Sequence, residues 1–334
     1  MHKYLITGGC GFIGSNLIKK LLDSKNNIVL NIDKLTNASS IESLKNYKNY
    51  KNYIFKKVDI CNYDKLLKII YNYKPEYIIH LAAESHVDNS IINPGEFINT
   101  NIIGTYNLLR VLTNNNFFKK NNIKFLHVST DEVYGSLSKA DISSSENNPY
   151  LPNSPYSSSK ASSDLLVRAW FKTYGLYTIT THCCNNFGPW QHPEKLIPKI
   201  IKNITNNQKI PIYGNGKNIR EWIHVDHHVE ILLKILKYSK PGEVYNIGSG
   251  FEINNLQLVK LIIKRTQKKI DRTLVFDKLI KFVKDRKGHD FRYSINSKKI
   301  NKLFGVIKIK DTKKRLNDTI DWYLNNKRWL IKKK

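Results

Sequence analysis

The strongest constraint on this chain is a cluster of glycines between a short apolar run and a helical pattern. Gly8, Gly11 and Gly14 follow the apolar residues 3–7 and precede residues 15–22, whose apolar spacing is helical. At a strand–helix turn, such glycines permit a tight turn, a close approach of the backbone to a pyrophosphate and close packing of the helix on the strand. The helix N-terminus then presents free N–H groups to the phosphates. The pattern therefore predicts a dinucleotide-binding turn.

Alternating apolar runs and helical patterns extend this unit into a larger sheet. Strand-like runs lie at residues 28–32, 53–58, 77–81 and 125–129, and helical patterns at residues 63–71, 95–114 and 156–174. This alternation predicts an α/β fold, a Rossmann-type doubly wound parallel sheet. Gly and Pro become frequent after about residue 185. We therefore expect a dinucleotide-binding Rossmann domain over residues 1–182. Residues 183–334 should form mainly a smaller C-terminal substrate-binding domain, with the chain crossing back to the core.

The choice of dinucleotide depends on Asp33, at the end of the second predicted strand. A carboxylate at this place accepts hydrogen bonds from the ribose hydroxyls and repels a 2′-phosphate. We therefore predict NAD rather than NADP. The alternative interpretation of Asp33 is a simple helix or turn cap.

The net charge of +28 raises the possibility of a nucleic-acid-binding or scaffold protein built on an inactive Rossmann domain. The excess is nearly all Lys and is spread along the whole chain, which is typical of a compositional bias at surface positions. Such charge affects solubility and non-specific attraction more than fold. We expect no specific nucleic-acid partner, and salt-dependent DNA retention without bound NAD would favour this alternative.

The compartment is predicted from apolar runs and cysteines. No stretch of 18 uncharged apolar residues suggests a membrane span, and the first residues resemble a buried strand rather than a signal peptide. The four cysteines have no CxxC spacing, and the adjacent pair Cys183 and Cys184 is poorly placed to form a disulfide. We therefore expect reduced thiols in a cytoplasmic protein.

Two polar segments carry groups suited to sugar oxidation. Thr130, Asp131 and Glu132 follow the predicted strand at residues 125–129, at the edge where open α/β sheets bind ligands. Tyr156 and Lys160 are four apart and share one helical face. A cationic Lys lowers the pKa of a nearby phenol, so Tyr156 is a candidate base. In a chain rich in Tyr and Lys, the same pair could also arise by chance.

Together these motifs resemble the extended short-chain dehydrogenase/reductase superfamily, and within it the dTDP-glucose 4,6-dehydratase family. The resemblance includes the glycine loop, the segment at residues 81–88, Thr130 to Gly135, the Tyr156–Lys160 pair and the segments at residues 185–189, 211–216, 220–222 and 285–290. It implies an NAD-dependent hydro-lyase that converts dTDP-glucose or UDP-glucose to the 4-keto-6-deoxy sugar, on a route to deoxysugars such as rhamnose. One alternative is a UDP-glucose-specific dehydratase. A less favoured one is an NAD-dependent 4-epimerase or a decarboxylase-like relative.

The adjacent acids discriminate between these activities. An epimerase needs only the Tyr, Lys and Ser or Thr set to oxidise and re-reduce C4, whereas a dehydratase also needs an acid and a base. The resemblance implies that Tyr156, tuned by Lys160, deprotonates the C4 hydroxyl and that Thr130 hydrogen-bonds the C4 oxygen. Glu132 would then take the C5 proton and Asp131 would protonate the leaving C6 hydroxyl. Without this resemblance, two adjacent acids would be interpreted as a solvated turn.

The resemblance also assigns binding residues position by position. The implied NAD-binding residues, besides Tyr156 and Lys160, are Gly8, Gly11, Phe12, Ile13, Gly14, Asp33, Lys34, Leu35, Thr36, Asp59, Ile60, Leu81, Ala82, Ala83, Ser85 and Thr100. The implied residues for the nucleotide sugar are His86, Thr130, Asn185, Glu194, Lys195, Leu196, Pro211, Tyr213, Arg220, Asn255, Arg286 and His289. For Arg220 and Arg286 the alternative is a surface ion pair.

The remaining expectations concern assembly, metals and departures from the family. The resemblance suggests a homodimer through the helices at residues 95–114 and 157–174. No metal is expected, because His227 and His228 lack partners at ligand spacing. The family's Arg after Asp88 is absent, His182 stands where Arg is more usual, and Phe291 replaces a basic residue. The segment at Pro211 does not discriminate thymine from uracil, since one methyl group contributes only about 1–3 kcal/mol.

Overall fold

A computed structural model describes residues 1–270, 276–306 and 309–331. Its strands are β1 (His2–Thr7), β2 (Asn27–Asp33), β3 (Tyr53–Lys57), β4 (Tyr77–His80), β5 (Lys124–Thr130), β6 (Tyr177–Cys183), β7 (Asn185–Phe187), β8 (Ile210–Tyr213), β9 (Ile219–His224), β10 (Val244–Ile247), β11 (Glu252–Asn254) and β12 (Ile280–Val283). Seven of them form one sheet in the order β10-β6-β5-β4-β1-β2-β3, and every neighbouring pair is parallel. The predicted doubly wound α/β fold is confirmed.

Helices cover both faces of this sheet. The α-helices are α1 (Phe12–Leu22), α2 (Tyr63–Tyr73), α3 (Val87–Ile92), α4 (Pro94–Phe97), α5 (Gly104–Thr113), α6 (Phe117–Asn121), α7 (Pro155–Tyr174), α8 (Leu196–Thr205), α9 (Val225–Tyr238), α10 (Asn255–Ile270), α11 (Phe276–Leu279), α12 (Lys298–Phe304), α13 (Ile309–Asn325) and α14 (Lys327–Leu330). Short 3-10 segments lie at Ile41–Tyr47, Asn114–Asn116 and Asp131–Tyr134. None of the helices in the described part of the chain is long and apolar enough to span a membrane.

The prediction of one continuous α-helix over residues 95–114 is wrong in the middle of that range. A π-helical stretch, Ile98–Ile103, separates α4 from α5. Asn101 in this stretch accepts a hydrogen bond from the Glu84 backbone N–H (2.9 Å) and donates to the Ser159 hydroxyl (2.8 Å). These tertiary bonds compensate for the wider turn, and π-bulges of this kind are frequent at functional sites.

Apolar side chains pack on both faces of the sheet. On one face α1 and α9 cover residues such as Ile6 and Val29, and on the other α2, α5 and α7 cover residues such as Leu5 and Ile78. A further core joins α8, α10 and α13 through Ile200, Ile262 and Ile320, among others. Because β10 and α9 belong to the large sheet and its core, the chain after residue 182 contributes to both regions. The domain boundary at residue 182 stays a prediction.

Candidate active site

A cleft of about 660 Å³ lies at the carboxyl ends of the central strands, where parallel sheets bind ligands. It extends from the glycine loop to the segments after β7 and β8. The structure brings together almost all of the predicted site residues here. Only Leu35 and Asp59 do not line the cleft. Their roles, like the individual roles of the others, stay predictions.

The glycine loop has the geometry that a dinucleotide requires. Gly8 has φ +69°, and a Cβ on it would lie 2.7 Å from the backbone of Ala82. A Cβ on Gly14 would lie 2.5 Å from the Gly8 carbonyl oxygen, so α1 packs at a distance that only glycine permits. Helix α1 begins after Gly11, and no side chain of the described residues caps it. The first N–H groups of α1 are therefore available to a pyrophosphate.

Asp33 is fixed at the end of β2, beside the glycine loop. Its Oδ2 accepts a hydrogen bond from the Cys10 N–H (2.9 Å), and its Oδ1 accepts from the Leu35 N–H (2.8 Å) and the Ser39 hydroxyl (2.9 Å). Asp33 is thus a turn cap, as in the alternative interpretation. Because a carboxylate offers about four acceptor sites, it can cap the turn and still accept a ribose hydroxyl. The side-chain oxygen of Asp59, in contrast, caps its own turn at the Cys61 N–H (2.8 Å).

The Tyr–Lys pair lies on α7, which begins with Pro155 and a capping box between Ser154 and Ser157. Tyr156 and Lys160 are both buried, and the Lys160 Nζ donates to the Val128 carbonyl oxygen at 3.0 Å. Val128 belongs to β5, two residues before Thr130. The pair is therefore held directly against the strand that leads into the turn with the two acids.

The expected lowering of the Tyr156 pKa is wrong for this structure. Burial, followed by the charges of Glu132 and Cys183, raises the Tyr156 pKa well above its usual value, and a hydrogen bond with Thr130 only partly opposes this. Burial also lowers the Lys160 pKa. Additional positive charge near Tyr156 would lower the pKa of its phenol and favour its action as a base.

The adjacent acids have different electrostatic surroundings. Burial, then the carboxylates of Glu132 and Glu221, raises the Asp131 pKa well above the usual range. Burial also raises the Glu132 pKa, but the nearby cations Arg220, Arg286 and Lys195 oppose this rise. Asp131 is therefore suited to hold a proton and Glu132 to accept one, which is the pairing that an elimination needs.

The cations of the cleft are held in different ways. Arg220 donates to the backbone carbonyls of Ile219 (2.7 Å) and Asp290 (2.9 Å), and its guanidinium lies over the Tyr293 ring at 4.3 Å. These contacts are not those of a surface ion pair. Arg286, in contrast, lies 3.5 Å from the Asp88 carboxylate, which partly fits that alternative. The Lys195 Nζ donates to the Ser85 carbonyl oxygen at 2.9 Å.

Several buried polar atoms of the cleft have no hydrogen-bond partner among the described residues. They are His86 Nδ1, Asp131 Oδ2, Gln191 Oε1, Trp222 Nε1, Asn255 Oδ1 and Arg286 Nε. Buried polar atoms without a partner cost free energy and are rare in folded proteins. Because these atoms lie on residues from separate segments of the cleft wall, a polar ligand that spans the cleft would satisfy them.

On the substrate side of the cleft, Tyr213 and His289 contact charged neighbours. Tyr213 donates from its hydroxyl to the Asp88 carboxylate (3.0 Å), and its ring lies edge-on to His289. The His289 Nδ1 lies 2.6 Å from the Asp285 carboxylate. These contacts join the segment after β12 to β8 and to the start of α3.

Sequence reasoning missed Tyr293 and Lys199. Tyr293 is buried, lines the cleft and donates from its hydroxyl to Glu132 (3.5 Å) and to Asp290. Its position just after the motif that ends at Asp290 could have identified it. Lys199 lies on α8, four residues after the N-cap Lys195, and lines the cleft. This spacing could have identified it.

Metal ligands do not cluster in this site. No group of three or more metal-ligating side chains occurs within residues 1–270, 276–306 and 309–331. His228 is buried, and its Nδ1 lies 2.9 Å from the Asn186 side-chain oxygen.

Comparison with known proteins gives matches along nearly the whole chain. The family described as GDP-mannose 4,6 dehydratase matches residues 5–310. A dTDP-glucose 4,6-dehydratase of Neisseria meningitidis serogroup B is 44% identical over 339 aligned positions, which cover 98% of this chain and 95% of the relative. The crystal structure of a dTDP-glucose 4,6-dehydratase of Bacillus anthracis in complex with NAD has a TM-score of 0.87 and 39% identity, with 98% of each chain covered. A Streptomyces venezuelae enzyme of the same name, solved with NAD bound, has a TM-score of 0.89 and 38% identity over 98% of each chain.

Proposed function

This chain belongs to the dTDP-glucose 4,6-dehydratase family, and on that premise we propose that it converts dTDP-glucose to dTDP-4-keto-6-deoxyglucose and water with NAD as cofactor. Membership confirms the resemblance stated from the motifs. The activity named for the relatives and the NAD bound in two of them support the reaction and the cofactor. The observation that carries the proposal is the Asp131–Glu132 pair beside Tyr156, with one acid suited to hold a proton and the other to accept one.

The chain's own residues fit NAD. The glycine loop and the start of α1 would hold the pyrophosphate, and Asp33 the adenosine ribose. Lys34 lies beside this ribose site, where its Nζ donates to the Thr100 hydroxyl (3.0 Å) and pairs with Glu84 (3.3 Å). When bound, NAD accepts hydride from C4 and returns it to C6. Its positively charged oxidised ring would also supply the positive charge that the Tyr156 phenol lacks.

Side chains of the protein carry out the proton transfers. Tyr156 takes the proton of the C4 hydroxyl while Thr130 hydrogen-bonds the C4 oxygen. The C4 ketone acidifies the C5–H bond, and Glu132 takes that proton while Asp131 protonates the departing C6 hydroxyl, which leaves as water. Glu132 then returns a proton to C5. The proton gained by Tyr156 and the proton lost by Asp131 balance, so the protein needs only an exchange between these groups to reset.

The substrate end of the cleft fits a nucleoside diphosphate. Arg220, Arg286 and Lys195 supply positive charge for the diphosphate, while Leu196, Pro211 and Tyr213 supply apolar surface for the base. We assign thymine on the strength of the relatives, and uracil is the alternative, since the two bases differ by one methyl group.

Substrate choice is tested with purified protein, dTDP-glucose and UDP-glucose. We expect each productive reaction to give a product lighter by one water, with a higher kcat/KM for dTDP-glucose. A higher value for UDP-glucose would transfer the assignment to the uridine nucleotide. Protein that retains NAD but releases no water from either sugar would contradict the dehydratase. Because the product is an activated keto-deoxy sugar, we place the enzyme on a route to deoxysugars such as rhamnose.

We also propose that the enzyme is a cytoplasmic homodimer. All four cysteines are free thiols, which suits a reducing compartment. Large apolar side chains are exposed on the dimer helices suggested by the family, including Ile98 (50% exposed) and Ile103 (44%) on the stretch from α4 to α5 and Leu165 (57%) on α7. A second copy that covers these side chains would remove them from water. A fully active monomer in analytical ultracentrifugation would contradict the dimer.

A further inference from the structure

Behind the catalytic residues lies a buried polar network centred on Asp164, one helical turn after Lys160 on α7. The Asp164 Oδ2 accepts from the Ser129 hydroxyl (2.9 Å) and lies 3.0 Å from the His182 Nε2. Its Oδ1 lies 3.0 Å from the His127 Nε2. Both histidines are fully buried. The mechanism uses none of these side chains, so the network needs its own explanation.

His182 extends this network to a different element. Its Nδ1 lies 2.8 Å from the Tyr134 hydroxyl, and its Nε2 lies 3.1 Å from the Tyr150 hydroxyl as well as near Asp164. Tyr134 belongs to the 3-10 turn Asp131–Tyr134, which carries the acid and the base. A single imidazole on β6 therefore joins the helix with the oxidation pair to the turn with the elimination pair.

The direction of these hydrogen bonds is fixed by Asn246 on β10. The Asn246 amide nitrogen donates to the Ser144 carbonyl oxygen (2.9 Å), which leaves its Oδ1 to accept from the Tyr134 hydroxyl (2.9 Å). The Tyr134 oxygen then accepts from His182 Nδ1, while His182 Nε2 lies 3.0 Å from the Asp164 Oδ2. Other ionisable groups around the network are His127, Tyr150, Glu146 and Arg168, with Lys160 on α7.

We propose that His182 is a positioning residue that fixes the Asp131–Tyr134 turn relative to Tyr156 and Lys160, so that elimination follows C4 oxidation without a rearrangement. The inference rests on the proposed dehydratase reaction. Buried hydrogen-bonded networks hold groups rigidly, and a displacement of about 1 Å in a catalytic group can slow a step about 100-fold.

The structure offers a matched pair of variants, because two tyrosine hydroxyls contact the same imidazole. Tyr134→Phe removes the contact to the turn, while Tyr150→Phe removes a contact to a loop that carries no catalytic residue. In single-turnover reactions with NAD-loaded protein and dTDP-glucose, absorbance of reduced cofactor follows C4 oxidation, and quenched samples follow water loss by mass. We expect Tyr134→Phe to slow water loss at least about tenfold relative to oxidation, so that reduced cofactor accumulates. Tyr150→Phe should keep the wild-type ratio.

Substitutions of His182 itself provide a second, independent test of the positioning role. His182→Leu should shift the ratio as Tyr134→Phe does, and the double variant should show no additional shift, because both changes break one connection. His182→Arg should restore the ratio, since a guanidinium can hydrogen-bond to both Tyr134 and Asp164. If His182→Leu does not fold, the tyrosine pair and His182→Arg still decide the outcome.

Equal ratios in the two tyrosine variants, or a ratio unchanged in Tyr134→Phe, would overturn the positioning role. So would variants that lower only the thermal unfolding midpoint. A wild-type protein that releases no water from dTDP-glucose would overturn the proposed function instead. The wild-type reaction in the same experiment therefore distinguishes the two failures.

Discussion

The two halves of the cleft recognise their ligands by different physical means. The glycine-loop half, residues 8–14 with Asp33, is shaped by backbone atoms that approach as closely as glycine permits. The charged half, formed by Glu132, Lys195, Arg220 and Arg286, depends on side chains from distant segments whose charges adjust one another. The close fit of the backbone in the first half suits it to binding the cofactor. In the second half, the charges of neighbouring side chains determine which acid donates a proton and which accepts one. Changes in the first half should therefore affect cofactor affinity, and changes in the second should affect chemistry.

The largest effect is expected from Glu132→Gln. The amide cannot take the C5 proton, so water loss should fall about 10²–10⁴-fold, the usual contribution of a general base. NAD affinity and C4 oxidation should persist, and reduced cofactor should accumulate in stopped-flow absorbance. The exposed Glu42→Gln is the control and should behave as wild type. If Glu132→Gln released water at the wild-type rate, the base would be another group.

Gly14→Ala should have the next largest effect, confined to the glycine-loop half. The new Cβ would lie 2.5 Å from the Gly8 carbonyl oxygen, and overpacking of this kind costs about 1–3 kcal/mol. We expect NAD to bind about 5- to 150-fold more weakly in isothermal titration, with turnover at saturating NAD largely retained. Gly95→Ala is the matched control, because its Cβ would meet only a side-chain atom at 3.8 Å. Unchanged affinity in Gly14→Ala would mean that the close packing is dispensable.

A smaller effect is expected for Arg286→Lys in the charged half. Lysine keeps the charge but loses the fork that matches phosphate oxygens, so KM for dTDP-glucose should rise about 5- to 30-fold with kcat nearly constant. Arg292→Lys is the control, because Arg292 is engaged by Glu252 at 2.8 and 3.2 Å and does not line the cleft. Equal changes in KM for both variants would point to a general charge effect.

The smallest expected effect is a shift of the acid limb of the pH–rate profile for water loss in Arg220→Gln. Glu132 must be ionised to act as a base, and its pKa is already raised by burial against the opposing charge of Arg220. Removal of this charge in Arg220→Gln raises the Glu132 pKa further, so the rate of water loss at saturating substrate should begin to fall at a higher pH. Arg220→Lys keeps the charge and should move the limb less. A limb that stays in place in Arg220→Gln would exclude Glu132 as the titrating group.

The sequence was informative where a backbone or helical rule applies. The glycine spacing predicted the first turn, and the four-residue spacing of Tyr156 and Lys160 predicted their common helical face. The protonation of the site was not predictable in this way. Burial reverses the expected direction of the Tyr156 pKa shift. The cations that oppose the rise of the Glu132 pKa come from β9, the N-cap of α8 and the segment after β12. Tyr293 reaches Glu132 across 161 residues of sequence, and no local pattern encodes such a contact.

The structural role of a residue that departs from the family pattern also became evident only from its three-dimensional contacts. In the sequence, His182 was merely a histidine in place of an arginine. In the structure it is fully buried and joins Asp164 on α7 to Tyr134 beside the acid pair. The polar contacts of His182 in two directions were visible only when both neighbours were in place.

The central claim, that adjacent acids make this a dehydratase, is tested most directly by one reaction of the wild-type enzyme in heavy water. Glu132 lines the cleft and is only partly buried, so we expect the proton that it takes from C5 to exchange with solvent before a proton returns to C5. The product from dTDP-glucose should then lack one water and carry deuterium at C5, as measured by mass spectrometry and proton NMR. Glucose and galactose nucleotides recovered without deuterium and without loss of water would instead indicate 4-epimerisation by Tyr156 alone, and would contradict the account.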